Sequence, residues 1–547
     1  MSAPRPFRDH TWLAAGLILA VTLPQFLWGL GDLNIWIPLE ARYALVAREM
    51  SEASQWMLPH LGGQVYPDKP PLLFWAIALL SSLGSGVTAW TARLPSAGAA
   101  IGVCLVTWGM GARLFSPHAA TLAALVLATS GGFFWSSRQA LPDMLLTLWT
   151  TSACWALWEW VVAKRRTAAI VAGLCLGLAT LTKGPVGLVL PVLAILAYLT
   201  VRHQWRALSG RDGLRCLGTW LGLTLAWFLP ALGQGGMTYA QATLWHHTLE
   251  RYVHAWEHTA PWYFYGVAFP AEFLPWTLFL PQALIFGAHQ GQSHTHEGWW
   301  FTLCWLVAIL GFFSTATGKR DIYILPAFPA AALLVGWRWS CWWERAPDDE
   351  AGWAMRLPSI LLALGLWGLA VGMWWGGGGL VPRNSALLLP KTPEMRLWMG
   401  LLLVLLGTGI GGAALAMRSR LVYASIVGGA WLIMLTAVLW VYTPQFNAQY
   451  PIKAFAAVIN AEVTPDQPLQ LCGLLNDLAL RFNLGRFVPA RPELPEVIDY
   501  LGGDGTAFCV ISAEAYQRLR EETGRSFPIV ARQVFDRSAL FVISNQR

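Results

Sequence analysis

The sequence predicts a polytopic α-helical membrane protein that ends in a small α/β soluble domain. Three observations lead there. Of the 547 residues, 56% are hydrophobic and only 12% charged, with a mean hydropathy of +0.47. Apolar runs of about 20 residues, long enough to cross a hydrocarbon core of about 30 Å as helices, recur from Trp12 to Met434. The runs then stop, and Asp, Glu, Arg and Pro become frequent. Residues 1–443 are therefore read as a membrane domain and 444–547 as a compact domain outside it.

The scattered basic residues set the topology. A net charge of +7 spread over short loops forms no groove-lining patch, so nucleic acid is excluded as a partner. Arg5 and Arg8, Arg113, Lys164 to Arg166, Arg202 to Arg215, Arg338, Arg345, Arg418 and Arg420 mark cytoplasmic loops instead. The first apolar run, about 11–30, is too long for a signal segment and reads as an outward anchor. Only one inward crossing fits before Arg113, at 95–112. The run Leu72 to Leu83 is too short to cross and is expected to lie as an interfacial helix in an outer loop spanning 31–93.

Further spans are expected at 118–136, 143–162, 168–182, 184–200, 214–232, 267–286, 298–316, 323–341, 357–376, 397–417 and 420–442. The total is about 13. An odd number leaves the N-terminus cytoplasmic and places the C-terminal domain in the periplasm. In that domain Leu469 to Leu474 and Ala507 to Ile511 read as buried strands, 476–484 and 513–523 as helices, and Arg532 to Val534 with Leu540 to Ile543 as a hairpin. Cys472 and Cys509 form a disulfide or remain two core thiols; both readings stand. The glycine run Gly376 to Gly379 reads as an outer turn.

The same parity gathers Glu40, Arg42, Asp68, Lys69, Arg138, Asp143, Lys183, His246, His247, Arg251, Lys319, Arg320 and Tyr323 at the outer boundary. Cations are disfavoured in outer loops, so their convergence points to an anion held there.

These residues resemble the aminoarabinose transferases that modify lipid A and, more distantly, the protein O-mannosyltransferases. The motifs are Pro38-Leu39-Glu40-Ala41-Arg42-Tyr43, Asp68-Lys69-Pro70-Pro71-Leu72 and Leu181-Thr182-Lys183-Gly184-Pro185. They continue through His247, Arg251, Pro261-Trp262-Tyr263 and Leu274-Pro275-Trp276 to Lys319 with Tyr323-Ile324-Leu325-Pro326. The resemblance implies a bacterial inner-membrane glycosyltransferase that moves a sugar, with inversion, from a polyprenyl-phosphate donor to lipid A or another envelope acceptor. It places the active site under helices lying along the periplasmic face. Lys69, Arg251 and Tyr323 match phosphate-contacting positions, with Arg42, Lys183 and Lys319 as further candidates. A protein hydroxyl or another glycan is the alternative acceptor, and a monomer among membrane lipids is expected.

One departure matters: where the family carries an acidic pair, this chain has Leu39-Glu40. Leucine accepts no proton. Either Glu40, Asp68 or Asp143 serves as base, or the acceptor is already ionised near pH 7, or the protein is an inactive paralogue. No cofactor is required by these residues; His247 with Asp68 is an open divalent-ion alternative. A lipid-linked-sugar flippase is the competing class, against which stand the absence of an internal repeat and the collection of polar residues at one face.

Plainer readings accompany these. Arg138 and Asp143 either pair with each other or touch substrate. Lys183 is a snorkelling lysine at a helix break or a ligand. His294, His296 and Glu297 read as an exposed inner loop.

Overall fold

The computed structural model describes residues 11–84, 86–208, 210–243, 259–290, 294–344, 349–375, 390, 392–416, 419–474, 477–491, 493–503, 505–535 and 538–546. Helix α1 (Thr11–Leu27) leads to the outer loop, built from α2 (Pro38–Glu52), a short hairpin of β1 (His60–Leu61) and β2 (Gln64–Val65), and α3 (Leu72–Ser82). Pro38 starts α2 because its missing N–H is an orphan there in any case. The hairpin turns on Gly62 and Gly63, both at positive φ. Glu49 of α2 accepts from their two amides at 2.7 and 3.1 Å, fastening the hairpin to the helix. Helix α3 coincides with the short apolar run expected to stay at the interface.

The chain continues through α4 (Ala89–Leu114), α5 (Pro117–Ala128), α6 (Gly131–Ser137), α7 (Pro142–Val161), α8 (Ala168–Lys183), α9 (Val186–Arg202) and α10 (Arg211–Gln241). Thr88 and Thr91 form a reciprocal cap on α4, which satisfies two amides that would otherwise lack partners. Gly184 at φ +72 ends α8, and Pro185 starts the turn into α9. Then follow α11 (Phe264–Glu272), α12 (Leu280–Ala288), α13 (His294–Thr315), α14 (Phe328–Glu344), α15 (Asp349–Trp374), α16 (Pro393–Leu415) and α17 (Arg420–Gln449).

Seven described helices are long and apolar enough to cross a membrane, or eight if the pair α5 and α6, bent by 67°, forms one span. About 13 spans were expected; those at 11–30, 168–182 and 184–200 fall on the shorter apolar helices α1, α8 and α9, of 16 or 17 residues, and two others are broken. The segment 118–136 bends between α5 and α6 at Ser130, and 267–286 is interrupted between α11 and α12 by a cis Leu274-Pro275 bond. His294 to Glu297 begin a helix and are not a loop. Glu297 accepts from Tyr198 at 2.6 Å and pairs with Arg202, so that inner polar group is a helix-to-helix tie. The Gly376 to Gly379 turn lies outside the described residues.

The C-terminal domain comprises α18 (Ile452–Glu462), β3 (Leu469–Cys472), α19 (Asp477–Leu484), β4 (Ala490–Arg491), α20 (Leu494–Leu501), β5 (Phe508–Ser512), α21 (Ala513–Thr523), β6 (Ile529–Phe535) and β7 (Ser538–Ser544). Its sheet runs β4-β3-β5-β7-β6, parallel on one side of β5 and antiparallel on the other. Both predicted strands, both predicted helices and the hairpin are present; α18, β4 and α20 were not expected. Cys472 and Cys509, on adjacent strands with Cα atoms 6.3 Å apart, are bonded.

This domain rests on the outer loop. Arg48 of α2 donates to the Phe482 carbonyl at 3.1 Å and lies over the Phe482 ring. Trp36 stacks on Tyr450 and Phe535. The C-terminal domain and the outer loop therefore share one side of the molecule.

Candidate active site

Antiparallel α7 and α8 bring Asp143, in the first turn of one, against Lys183, in the last turn of the other. Asp143 Oδ1 and Lys183 Nζ lie 2.5 Å apart, with side chains only 7% and 13% exposed. Each charge also sits where the helix dipole favours it, the carboxylate at an N-terminus and the ammonium at a C-terminus. Lys183 Nζ stands 4.3 Å from the centre of the Tyr323 ring, so the lysine is embedded in the cluster and does not snorkel away from it.

The outer loop supplies the second half. Arg42 projects from α2 toward Asp68, 3.9 Å away. Tyr66 donates its hydroxyl proton to Asp68 at 3.1 Å, and Lys69 Nζ donates to the Asp68 backbone carbonyl at 2.9 Å. Tyr43 ties the halves together. Burial pushes its phenol above the usual range, Asp143 and Asp68 push the same way, and Arg42 and Arg320 oppose them. Groups from α2, the 66–69 segment, α7 and the 319–323 segment thus all act on this one phenol. Tyr66 is raised too, first by burial, then by Tyr43 and Asp68.

Other expected residues are placed differently. Glu40 is 1% exposed and grips Arg93: Nε and Nη2 donate to its two oxygens, each at 3.0 Å. The same carboxylate accepts from the Ala140 amide at 2.8 Å, while Arg93 Nη1 donates to Leu30 and Leu33 at 3.0 and 2.8 Å. Both oxygens of Glu40 are thus bound within the fold. Lys319 is buried and donates to the carbonyls of Ala260, at 3.0 Å, and Ala316, holding the bridge between Thr259 and Gly318. Arg138 neither pairs with Asp143 nor faces the cluster: it donates to Gln25, Phe26 and Trp28 carbonyls at the end of α1. Leu39 packs half-buried against the core. Arg251, His246 and His247 lie outside the described residues, so neither the Arg251 phosphate contact nor the His247–Asp68 ion site is placed. Among the described residues, no group of three or more His, Cys, Asp or Glu is arranged to hold a metal ion.

Sequence reasoning gave no role to Arg93, Tyr43 or Tyr66. Arg93 carried a usable signal, being a lone arginine at the outer end of a span, against the positive-inside bias. Tyr43 lay inside the quoted Ala-Arg-Tyr motif. Tyr66 carried none.

Around the site, Arg42, Lys69, Lys183 and Arg320 stand with Asp68, Asp143 and Asp321. Cations fixed in place beside buried phenols can stabilise an anion that gains charge during a reaction.

Residues 68–232 match the family of dolichyl-phosphate-mannose-protein mannosyltransferases. The chain is similar to an undecaprenyl phosphate-alpha-4-amino-4-deoxy-L-arabinose arabinosyl transferase of Pseudomonas aeruginosa (strain LESB58), 32% identical over 317 residues, 57% of each chain. A namesake from Enterobacter sp. (strain 638) is 30% identical over 369 residues, 65% of each. The matches thus span less than two thirds of these relatives. The fold is that of ArnT from Cupriavidus metallidurans bound to undecaprenyl phosphate, with a TM-score of 0.81 at 21% identity over 98% of both chains. The same protein in the apo state gives 0.82 at 20% identity, again over 98% of both.

Proposed function

We propose that the protein transfers a sugar from a polyprenyl-phosphate donor to lipid A, or to another acceptor of the bacterial envelope, at the periplasmic face of the inner membrane. Arg42, Asp68, Asp143 and Arg320, from four chain segments, all act on Tyr43, and the cations among them carry this reading. The similarity to transferases named for an undecaprenyl-phosphate-linked aminoarabinose supports it.

The bond from the anomeric carbon to the phosphate oxygen breaks, and its electron pair leaves with the phosphate. Arg42, Lys69 and Arg320, with Arg251 as a further candidate, neutralise that charge, each preorganised contact being worth on the order of 10²-fold in rate. Tyr323 supports the ammonium of Lys183, which in turn orients Asp143. The acceptor oxygen attacks from the opposite side, inverting the anomeric centre. A hydroxyl acceptor passes its proton to Asp143 or Asp68, whereas an ionised phosphate acceptor needs no base. Glu40 holds the outer loop, α4 and the approach to Asp143 in register. A divalent ion at His247 and Asp68 is no part of this scheme.

The orientation belongs to the same proposal: 13 crossings, a cytoplasmic N-terminus and a periplasmic C-terminal domain, which follows the end of α17 at Gln449 and not residue 443. The buried Cys472–Cys509 bond supports an oxidising compartment for that domain. The test is reconstitution of the purified chain in liposomes with a polyprenyl-phosphate aminopentose and lipid A. A gain in lipid A mass equal to one transferred sugar is expected, with equimolar release of polyprenyl phosphate. Release of carrier without glycosylated lipid A moves the acceptor elsewhere, and no release at all removes the transferase reading.

A further inference from the structure

A partly open apolar cavity of about 700 Å³ runs along α7 to α10, lined by Leu157, Trp160, Leu188, Ile195 and Leu217, with Arg211 at its edge. Along α7, Trp160 lies 17 residues from Asp143, about 25 Å at 1.5 Å per residue. The Trp160 end of the cavity, where Arg211 lies, is therefore remote from the polar cluster. Its volume falls within the range of about 300–1,000 Å³ typical of ligand sites.

The helices cannot simply close on it. At Gly173, an added Cβ would lie 2.4 Å from the Cys216 carbonyl oxygen, so α8 and α10 already touch backbone to backbone. Trp220 Nε1 pins the same pair by donating to Thr180 at 3.0 Å.

Charge identifies the occupant. Glu159 is taken by Arg113 and Arg165, and Asp212 by Arg215 and Arg166. Arg211 is exposed and, among the described residues, has neither hydrogen-bond nor ion-pair partner. A cation beside an apolar cavity at the basic end of a helix bundle matches a lipid with one chain inside and an anionic head at the rim.

We infer that this cavity takes one acyl chain of an anionic glycerophospholipid of the cytoplasmic leaflet, whose phosphate is met by Arg211. The leaflet rests on the orientation proposed above, and the site itself does not rest on sugar transfer. A carrier lipid with its phosphate at the polar cluster and its tail in the cavity is the competing occupant, and the displacement experiment below separates the two.

Native mass spectrometry of the full chain in detergent, titrated with phosphatidylglycerol or phosphatidylcholine of identical acyl chains, tests this. Phosphatidylglycerol is expected to bind more tightly by about fivefold, the factor for one basic residue at an anionic surface. Arg211→Gln should abolish that preference, and Leu217→Trp, which fills the cavity, should weaken both lipids. Equal binding of the two lipids by the unaltered chain, an unchanged preference in Arg211→Gln, or displacement of phosphatidylglycerol by undecaprenyl phosphate would overturn the inference. Should Leu217→Trp fail to fold, Arg211→Gln, a change at an exposed side chain, still decides. Sugar transfer measured in parallel separates failure here from failure of the transferase reading.

Discussion

Two buried ion pairs lie within the same end of this molecule, and they are built for different purposes. In Glu40–Arg93 the carboxylate meets the guanidinium in two parallel contacts and accepts a backbone amide as well, while the arginine caps two carbonyls. Asp143–Lys183 is a single contact between one carboxylate oxygen and one ammonium, beside the Tyr323 ring. The first pair is saturated and joins three chain segments. The second keeps lone pairs and protons for something that arrives. Burial alone does not separate a structural carboxylate from a reactive one; the remaining hydrogen-bonding capacity does.

Breaking the saturated pair gives the largest expected effect. Arg93→Ala strands a buried carboxylate and should cost roughly 3–5 kcal/mol of stability, seen as a sharply lowered melting temperature in detergent. The double substitution Glu40→Leu with Arg93→Met should recover a large part of that loss. If Arg93→Ala melts like the unaltered protein, the clamp is not structural.

Next comes Asp143→Asn, expected to lower turnover by about 10²-fold, within the range of general-base contributions, while costing less stability than Arg93→Ala, because the amide oxygen still accepts from Lys183. A stability loss as large as that of Arg93→Ala, with turnover per folded molecule unchanged, would make the two pairs equivalent. Lys69→Ala should cost a comparable or smaller factor, up to about 10²-fold, again without unfolding. Leu39→Asp sharpens the comparison differently. Higher activity would mark the pocket as a decayed form of the acidic-pair site; lower activity would show that it has been rebuilt around Asp143 or Asp68. The smallest effect belongs to the exposed Arg518–Glu514 pair, 2.6 Å apart on α21. Arg518→Ala there should shift stability by less than about 1 kcal/mol.

The helices were legible because apolar length alone specifies them in a bilayer. Where the chain bends, at Ser130 and at Leu274-Pro275, hydropathy runs straight through the break and conceals it. The C-terminal strands β3 and β5 showed as short apolar runs, but β4 has only two residues and offers no pattern to read. The site was legible as a list of charged residues at one face. Its division of labour was not, since Glu40 finds Arg93 across 53 positions and Asp143 finds Lys183 across 40, and no local spacing records such partnerships. Lys319 looked like a phosphate ligand for the same reason: the Ala260 carbonyl that engages it lies on a separate segment.

The most direct test of the account is thermal stabilisation of the purified protein by undecaprenyl phosphate compared with undecaprenol, which shares the chain and lacks the phosphate. The phosphate should raise the melting temperature well beyond the alcohol, and Arg42→Ala with Lys69→Ala should erase that difference while leaving the response to the alcohol intact. Equal stabilisation by the two lipids, or a difference that survives both substitutions, would contradict the claim that these cations hold the carrier's phosphate.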